Sequence, residues 1–362
     1  MKKIVFVTKD LIEGLCPARV RIGSVFWILF VIGACLKAPL GQAKELKFND
    51  VILDVGDAQK LVISGYKGSV KISPSKQGGK LIIHAKKITD DKKSSSTDNN
   101  WIFGAKREDK NIKIEVHGPD MQNLGEGLKQ LSTEFQFEIE APPMPVDLAW
   151  RDGVVHIQNW NAALNIVLLE GSLNISHCVA QVHIQNEMGE VKLLNHHGRT
   201  EIETLKSKLI VNDFDGHLRI KNFAGESILQ NVTASIHLQS KLGASHITKS
   251  QGSLEIENGK GSFNILDFNG SIHGQNEDGN VTVKLVGDVD VAMDSVSGSM
   301  SFKLPEDTGA YAKLQSEEGT LSNPESFKTG KLGNLKVASG RFSGSEKGSI
   351  VLKSKTGNLR VH

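Results

Sequence analysis

The sequence predicts an all-β fold: a single-chain parallel β-solenoid, or β-helix, of 18-residue coils with two strands per coil. Three observations predict it. From Met144 to Gly287 the chain divides into eight blocks of 18 residues, each made of two nine-residue halves reading G/A-x-Φ-x-Φ-x-N-x-x, with Φ Leu, Ile or Val. A fixed period near 20 residues is the mark of a solenoid. Apolar residues alternate with polar ones inside every half, which is the pattern of a strand with one buried face. Nine residues leave about five for a strand and about four for a corner, too few for a helical crossover. A coil that climbs one strand spacing per turn is what fits, and eight coils at about 4.8 Å each make a rod roughly 38 Å long. We expect it to be right-handed, from the usual chirality of parallel crossovers.

The elements follow from the repeat. Blocks start at Met144, Ala162, Ala180, Gly198, Gly216, Ala234, Gly252 and Gly270, and their midpoints are Gly153, Gly171, Gly189, Ser207, Gly225, Gly243, Gly261 and Gly279. First strands carry Leu164/Ile166, Val182/Ile184, Leu218/Ile220, Ile236/Leu238 and Leu254/Ile256 inward. Second strands carry Val155/Ile157, Leu173/Ile175, Val191/Leu193, Leu209/Val211, Phe263/Ile265 and Val281/Val283. A third inward column holds Trp160, Cys178, Phe214, Val232, Phe268 and Val286, interrupted by His196.

The position after each strand is polar. First strands end in Asn186, Thr204, Asn222, Ser240, Asn258 and Asn276, and second strands in Asn159, Asn195, Asp213 and Asn231. Stacked side-chain amides satisfy corner backbone groups, so we read Asn186, Asn222, Asn258, Asn276, Asn159, Asn195 and Asn231 as a structural ladder. A calcium ladder would require Gly-Gly-x-Gly-x-Asp loops, and the sequence has none.

Residues 1–43 read as a secretory signal. Arg19 and Arg21 precede an apolar run from Val25 to Leu36, and Gly41-Gln42-Ala43 offers a cleavage site. The run is well short of the roughly 20 residues of a membrane span. Three outcomes stay open: cleavage after Ala43, lipidation of Cys35 within Ile32-Gly33-Ala34-Cys35, and an uncleaved anchor. The long leader also admits a start near Val20. The chain has 43 basic and 41 acidic residues; the first 43 residues hold six basic (Lys2, Lys3, Lys9, Arg19, Arg21, Lys37) and two acidic (Asp10, Glu13). Their removal leaves 37 against 39, a net charge of −2, which gives no footing for nucleic acid. One cysteine, Cys178, then remains, so no intrachain disulfide forms.

Residues 44–143 read as irregular starting coils and a cap, with strands at Leu46–Phe48, Val51–Leu53, Leu61–Ile63, Val70–Ile72 and Leu81–Ile83. A polar loop is expected over 89–100, and Met121, Leu124, Leu128 and Leu131 predict a short amphipathic helix over 118–133. After 144–287, residues 288–362 read as irregular coils of the same solenoid, ending in Ile350-Val351-Leu352 and Leu359-Arg360-Val361.

The segments Ser297–Pro305, Leu314–Thr320 and Lys355–Val361, with the recurring Gly-x-Φ-x-Φ phrase, resemble the bacterial putative-adhesin family, a β-solenoid domain of unknown function. The resemblance spans roughly 140–362. It implies a solenoid and an adhesin-like role, and brings no catalytic residues.

No nucleophile elbow, phosphate loop, CxxC or HExxH occurs. Asp213/Asp215 and Asp288/Asp290 are carboxylate pairs by residue type only, and His196-His197 is a ligand pair only if adjacent residues converge. One outward column, beginning at Asp147 and Asn165, continues through His183, Glu201, Arg219, His237, Glu255 and His273, and is the candidate binding surface. Parallel side chains do not converge on a metal, so no cofactor is expected. We expect an exported, non-enzymatic solenoid that binds a glycan, an envelope protein or a host-surface protein through repetitive faces. It would lie in the periplasm, at the outer membrane or on the bacterial surface, with membrane attachment only through Cys35. The alternatives are a carbohydrate-active β-helix enzyme and a periplasmic structural or envelope-stress accessory protein.

Overall fold

The computed structural model describes residues 43–90, 101–118, 133–344 and 347–362. The expected signal segment, polar loop and amphipathic helix lie outside these residues except at their edges. There Thr89 and Asp90 belong to a strand, as does Thr133. Every regular element among the described residues is a strand, so the fold is all-β.

From Val146 to Ser295 the ladder is parallel and advances one block at a time. Strands β8 (Val146–Gln158), β9 (Leu164–Val179) and β10 (Val182–Asn222) pair Leu148 with Ile166 and Ile166 with Ile184. Then β11 (Ser227–Ser240), β12 (Ser245–Thr248), β13 (Gln251–Asn258) and β14 (Phe263–Asn276) continue, with Ile220 against Leu238 and Leu238 against Ile256. Because like residues face like residues, the apolar positions stack into continuous buried columns: Leu164, Val182, Leu218, Ile236, Leu254 and Ile272 are all core.

The small residues are explained by carbonyl contact between coils. Gly171 has φ 127°, and a Cβ there would lie 1.9 Å from the Gly153 carbonyl oxygen. At the opposite corner a Cβ on Gly216, whose φ is 135°, would meet the Gly198 carbonyl oxygen at 2.1 Å. A side chain at either place would force adjacent strands apart.

One expected core residue is displaced. β15 (Val281–Ser295) pairs with β14 through a register shift, so that Phe268 faces Leu285 and Gly270 faces Val289. Leu285 therefore takes the buried place, and Val286 is 38% exposed. Ser250, which the repeat did not single out, completes the third column between Val232 and Phe268.

Both ends depart from chain order in the same way. At the N-terminal end β3 (Lys60–Pro74) pairs with β8 on one edge, Ile63 facing Leu148. On its other edge it pairs with β6 (Asn111–His117) and β7 (Thr133–Ala141), Val70 facing Phe137. At the C-terminal end β21 (Gly348–Ser354) lies between β15 and β17 (Tyr311–Ser316), so Ile350 faces Val291 and Ala312 together. Likewise β22 (Leu359–Val361) lies between β16 (Met300–Lys303) and β18 (Leu321–Ser322). The final strands of the chain are thus internal to the sheet.

Antiparallel strands close the stack, as an open coil end would expose unpaired backbone. β4 (Lys80–Asp90) covers β7 and carries β1 (Ala43–Lys47) and β2 (Val51–Asp54), while β5 (Ile102–Glu108) covers β6. At the far end β20 (Leu335–Arg341) covers β17 and β19 (Lys328–Leu332) covers β20. Aromatic rings meet at the N-terminal cap, where Phe103 packs edge-on against Phe48 at 4.9 Å and Phe137 at 5.4 Å.

Candidate functional site

The outward column is a charge ladder on one sheet face. Alternation along β10, β11, β13 and β14 turns these side chains away from the core, and the parallel register places Arg219, His237, Glu255 and His273 on neighbouring strands. Carboxylates meet imidazoles and basic side chains along it. Glu201 lies 3.8 Å from His183 Nδ1 and 3.7 Å from Arg219 Nε, and His237 Nδ1 lies 2.9 Å from Glu255 Oε2. His273 Nε2 reaches Asp290 Oδ2 at 3.7 Å, and Asp147 pairs with Lys60 at 2.8 Å. Solvated pairs of this kind contribute less than about 1 kcal/mol each, so they define a surface more than they stabilise it.

At its C-terminal end the face sinks into a shallow groove of about 310 Å³. The cause is visible in the register: beyond His273 the same column continues with Ala292 and Val351, whose short side chains leave space. Glu255, Glu257, His273, Gln275, Asp294 and Lys353 line it. The neighbouring column supplies Glu257, Gln275, Asp294 and Lys353, two residues further along each strand. Glu257 also approaches His237 Nε2 at 3.8 Å, and Lys353 lies 3.6 Å from Asp294. The groove therefore offers three carboxylates, one ammonium, an imidazole and an amide to a polar ligand. Glu257 and Gln275 were within reach of sequence reasoning as the column offset by two, whereas Asp294 enters the column only through the register shift in β15, the 18-residue count leading to Met293. Lys353 was not, because its strand joins the sheet out of chain order.

The asparagine positions separate into two groups. Asn186, Asn222, Asn258 and Asn276 are buried inside a corner. Asn258 Nδ2 donates to Asn276 Oδ1 at 2.6 Å and to the Gly261 carbonyl at 2.7 Å, and Asn276 Nδ2 donates to the Gly279 carbonyl at 2.6 Å. Gly225 N–H donates to Asn222 Oδ1 at 3.0 Å, and Asn186 Nδ2 donates to the Leu168 carbonyl at 3.2 Å. By contrast Asn159, Asn195 and Asn231 are exposed and left-handed, with φ of 55°, 51° and 54°. His177, Asp213, Lys249 and Asp267 hold the same conformation in the intervening coils. The second set thus answers to backbone conformation, where Asn and Asp are tolerated, rather than to burial. One stacked contact occurs there, Asn231 Nδ2 to Asp213 Oδ1 at 3.0 Å.

Asp213/Asp215 and His196/His197 do not converge. Asp213 and Asp215 are exposed on either side of buried Phe214, and the side chain of Asp288 lies outside the described set. His197 is exposed while His196 points into the core, stacked on Phe214 at 5.6 Å. Neither ring nitrogen of His196 has a hydrogen-bond partner. Burial drives its pKa down to about 4; the nearby Ala180 carbonyl softens the effect without hydrogen-bond geometry, and His197 reinforces it. Beneath it Cys178 accepts from Trp160 N–H at 3.4 Å and donates to the Ser176 carbonyl at 3.3 Å, and burial pushes its thiol pKa up. Ser250 repeats this bridge, accepting from Val232 N–H and donating to the Thr248 carbonyl. Among the described residues no three His, Cys, Asp or Glu side chains are placed to hold a metal.

No family model matches the chain, and no curated protein matches it. Several solved structures that it resembles are named putative adhesins or cell adhesion proteins, and one is named a putative lipid binding protein. A putative cell adhesion protein from Clostridium sporogenes is 12% identical over 88% of this chain and 99% of its own, with a TM-score of 0.20. A putative adhesin from Bacteroides fragilis is 13% identical over 89% and 99%, TM-score 0.26, and one from Parabacteroides distasonis is 10% identical over 89% and 98%, TM-score 0.31. Likeness at this level transfers no activity or ligand.

Proposed function

We propose that the chain is an exported, adhesin-like surface or envelope protein that binds through its outward sheet face and has no chemistry of its own. The block-by-block parallel ladder supports reading its middle as a single-chain β-solenoid, right-handed by the usual chirality of parallel crossovers. The observation that carries the functional reading is the groove beside the His237–Glu255–His273 column. It is shallow, open and polar, and its groups line the rows of the sheet instead of converging on one reacting atom. Carboxylates spaced along a flat face suit the vicinal hydroxyls of a glycan or the basic groups of a partner protein, and repetition along the face lets weak contacts add.

Protease treatment of intact cells, with the mature N-terminus read by mass spectrometry, tests placement. Cleavage of the rod on intact cells is expected. Protection until the outer membrane is opened would overturn surface adhesion. Glycan binding that drops in Glu257→Gln/Asp294→Asn at unchanged melting temperature is the matching result for the groove.

A further inference from the structure

A second surface lies at the corner that follows each first strand. Successive coils place Met188, Leu205, Phe223 and Leu242 there, each 40 to 54% exposed. The backbone beneath them is a continuous ladder: Phe223 N–H donates to the Thr204 carbonyl at 3.1 Å, Leu242 N–H to Phe223 at 2.8 Å and Lys260 N–H to Lys241 at 2.7 Å. The apolar tips are therefore held outward on a straight ridge, not left free to fold back. Lys206, Lys241 and Lys260 stand exposed among them. Among the described residues no carboxylate pairs with these three, whereas the nearby Lys208 and Lys221 are matched by Glu226 and Glu203. Acidic residues appear only where the ridge ends, at Glu187 and at Glu277 and Asp278.

We propose that this corner is a contact edge for an anionic lipid surface. Leu205, Phe223 and Leu242 enter the headgroup boundary, and Lys206, Lys241 and Lys260 meet lipid phosphates. Exposed apolar tips interleaved with unmatched cations are what an anionic bilayer interface selects. A second protein fits less well: the edge is only two residues wide, and its five levels span roughly 19 Å at strand spacing. That is far short of the roughly 800 Å² per partner that a stable interface buries. This edge adjoins the grooved face, Lys241 sharing a depression with Glu257 and Gln275. The footprint is read at Met188, Leu205, Phe223 and Leu242, none of which lines the groove, so either assignment can fail alone.

The test is hydroxyl-radical footprinting of the full chain with vesicles of phosphatidylcholine, alone or with phosphatidylglycerol. A local readout is needed because the apolar run at 25–36 brings lipid affinity of its own. Protection of Met188, Leu205, Phe223 and Leu242 by the anionic vesicles only is expected, reversed by high salt. Lys206→Gln/Lys241→Gln/Lys260→Gln should raise the vesicle concentration for half-protection about fivefold per lysine, roughly 100-fold in all, at unchanged melting temperature. No protection, equal protection by neutral vesicles, or an unaltered midpoint in the triple variant would overturn the proposal. So would self-association that Phe223→Ser/Leu242→Ser abolishes without any lipid footprint.

Discussion

Replacing His196 by Phe should change how the protein responds to acid. The imidazole is fully buried in a column with Cys178 and Phe214, and neither nitrogen is bonded. Its folded pKa is about 4 against 6.5 for the free side chain. Above pH 7 the ring is neutral in both states, and no protonation penalty exists. As the pH falls through 6.5 the unfolded chain takes up a proton that the native core refuses, so stability declines until about pH 4, where the native ring also protonates. At pH 4.5 the accumulated loss is about 2.5 kcal/mol, from one proton and 1.36 kcal/mol per unit. Phe cannot titrate, and it restores an aromatic contact with Phe214. Urea unfolding at pH 7.5 and 4.5, followed by circular dichroism on both proteins, isolates the effect, because every other titrating group is shared. The wild type should lose about 2.5 kcal/mol more than His196→Phe between the two pH values. Equal losses would refute the burial of an unpaired imidazole as the source of acid sensitivity.

Three further outcomes follow from the corners and the core. Gly171→Ala should cost at least about 3 kcal/mol, or block folding, through positive φ and carbonyl clash, while Gly330→Ala, in open space, should leave the melting temperature unchanged. Asn258→Ala removes the donor to both Asn276 and Gly261 and should cost about 2–4 kcal/mol in the same denaturation assay. Cys178, buried with its thiol pKa raised, should resist iodoacetamide in the native protein and react on unfolding, as read from the Cys178 peptide by mass spectrometry.

Much of this architecture was legible because repetition converts a weak pattern into register. One Leu-x-Ile pair says little, but Leu164/Ile166, Val182/Ile184 and Leu218/Ile220 at equal spacing fix which residues stack. The ladder at Asn186 to Asn276 was legible on the same ground. Asn159 and Asn195 were grouped with it because sequence does not distinguish a buried amide from a left-handed corner residue. Val286 was misplaced because the shift at Phe268–Gly270 breaks the count locally. The interleaving of β3 and β21 had no signal at all: their Val70-Lys71-Ile72 and Ile350-Val351-Leu352 patterns suit any neighbour in the stack. The groove inherits that blindness, since Val351 and Lys353 arrive from the displaced strand.

That displacement also sets the order of assembly and the route of mechanical load. Because β21 slots between β15 and β17, this part of the sheet cannot close until β21 has been synthesised. The preceding coils must hold a gap open for it. Once closed, tension passed into β21 acts on a strand gripped along both edges, so two ladders share the pull. An end coil stacked in simple sequence would peel from one edge, rung by rung. A strand held in this way leaves the sheet only when both ladders give together, so its release is a single step.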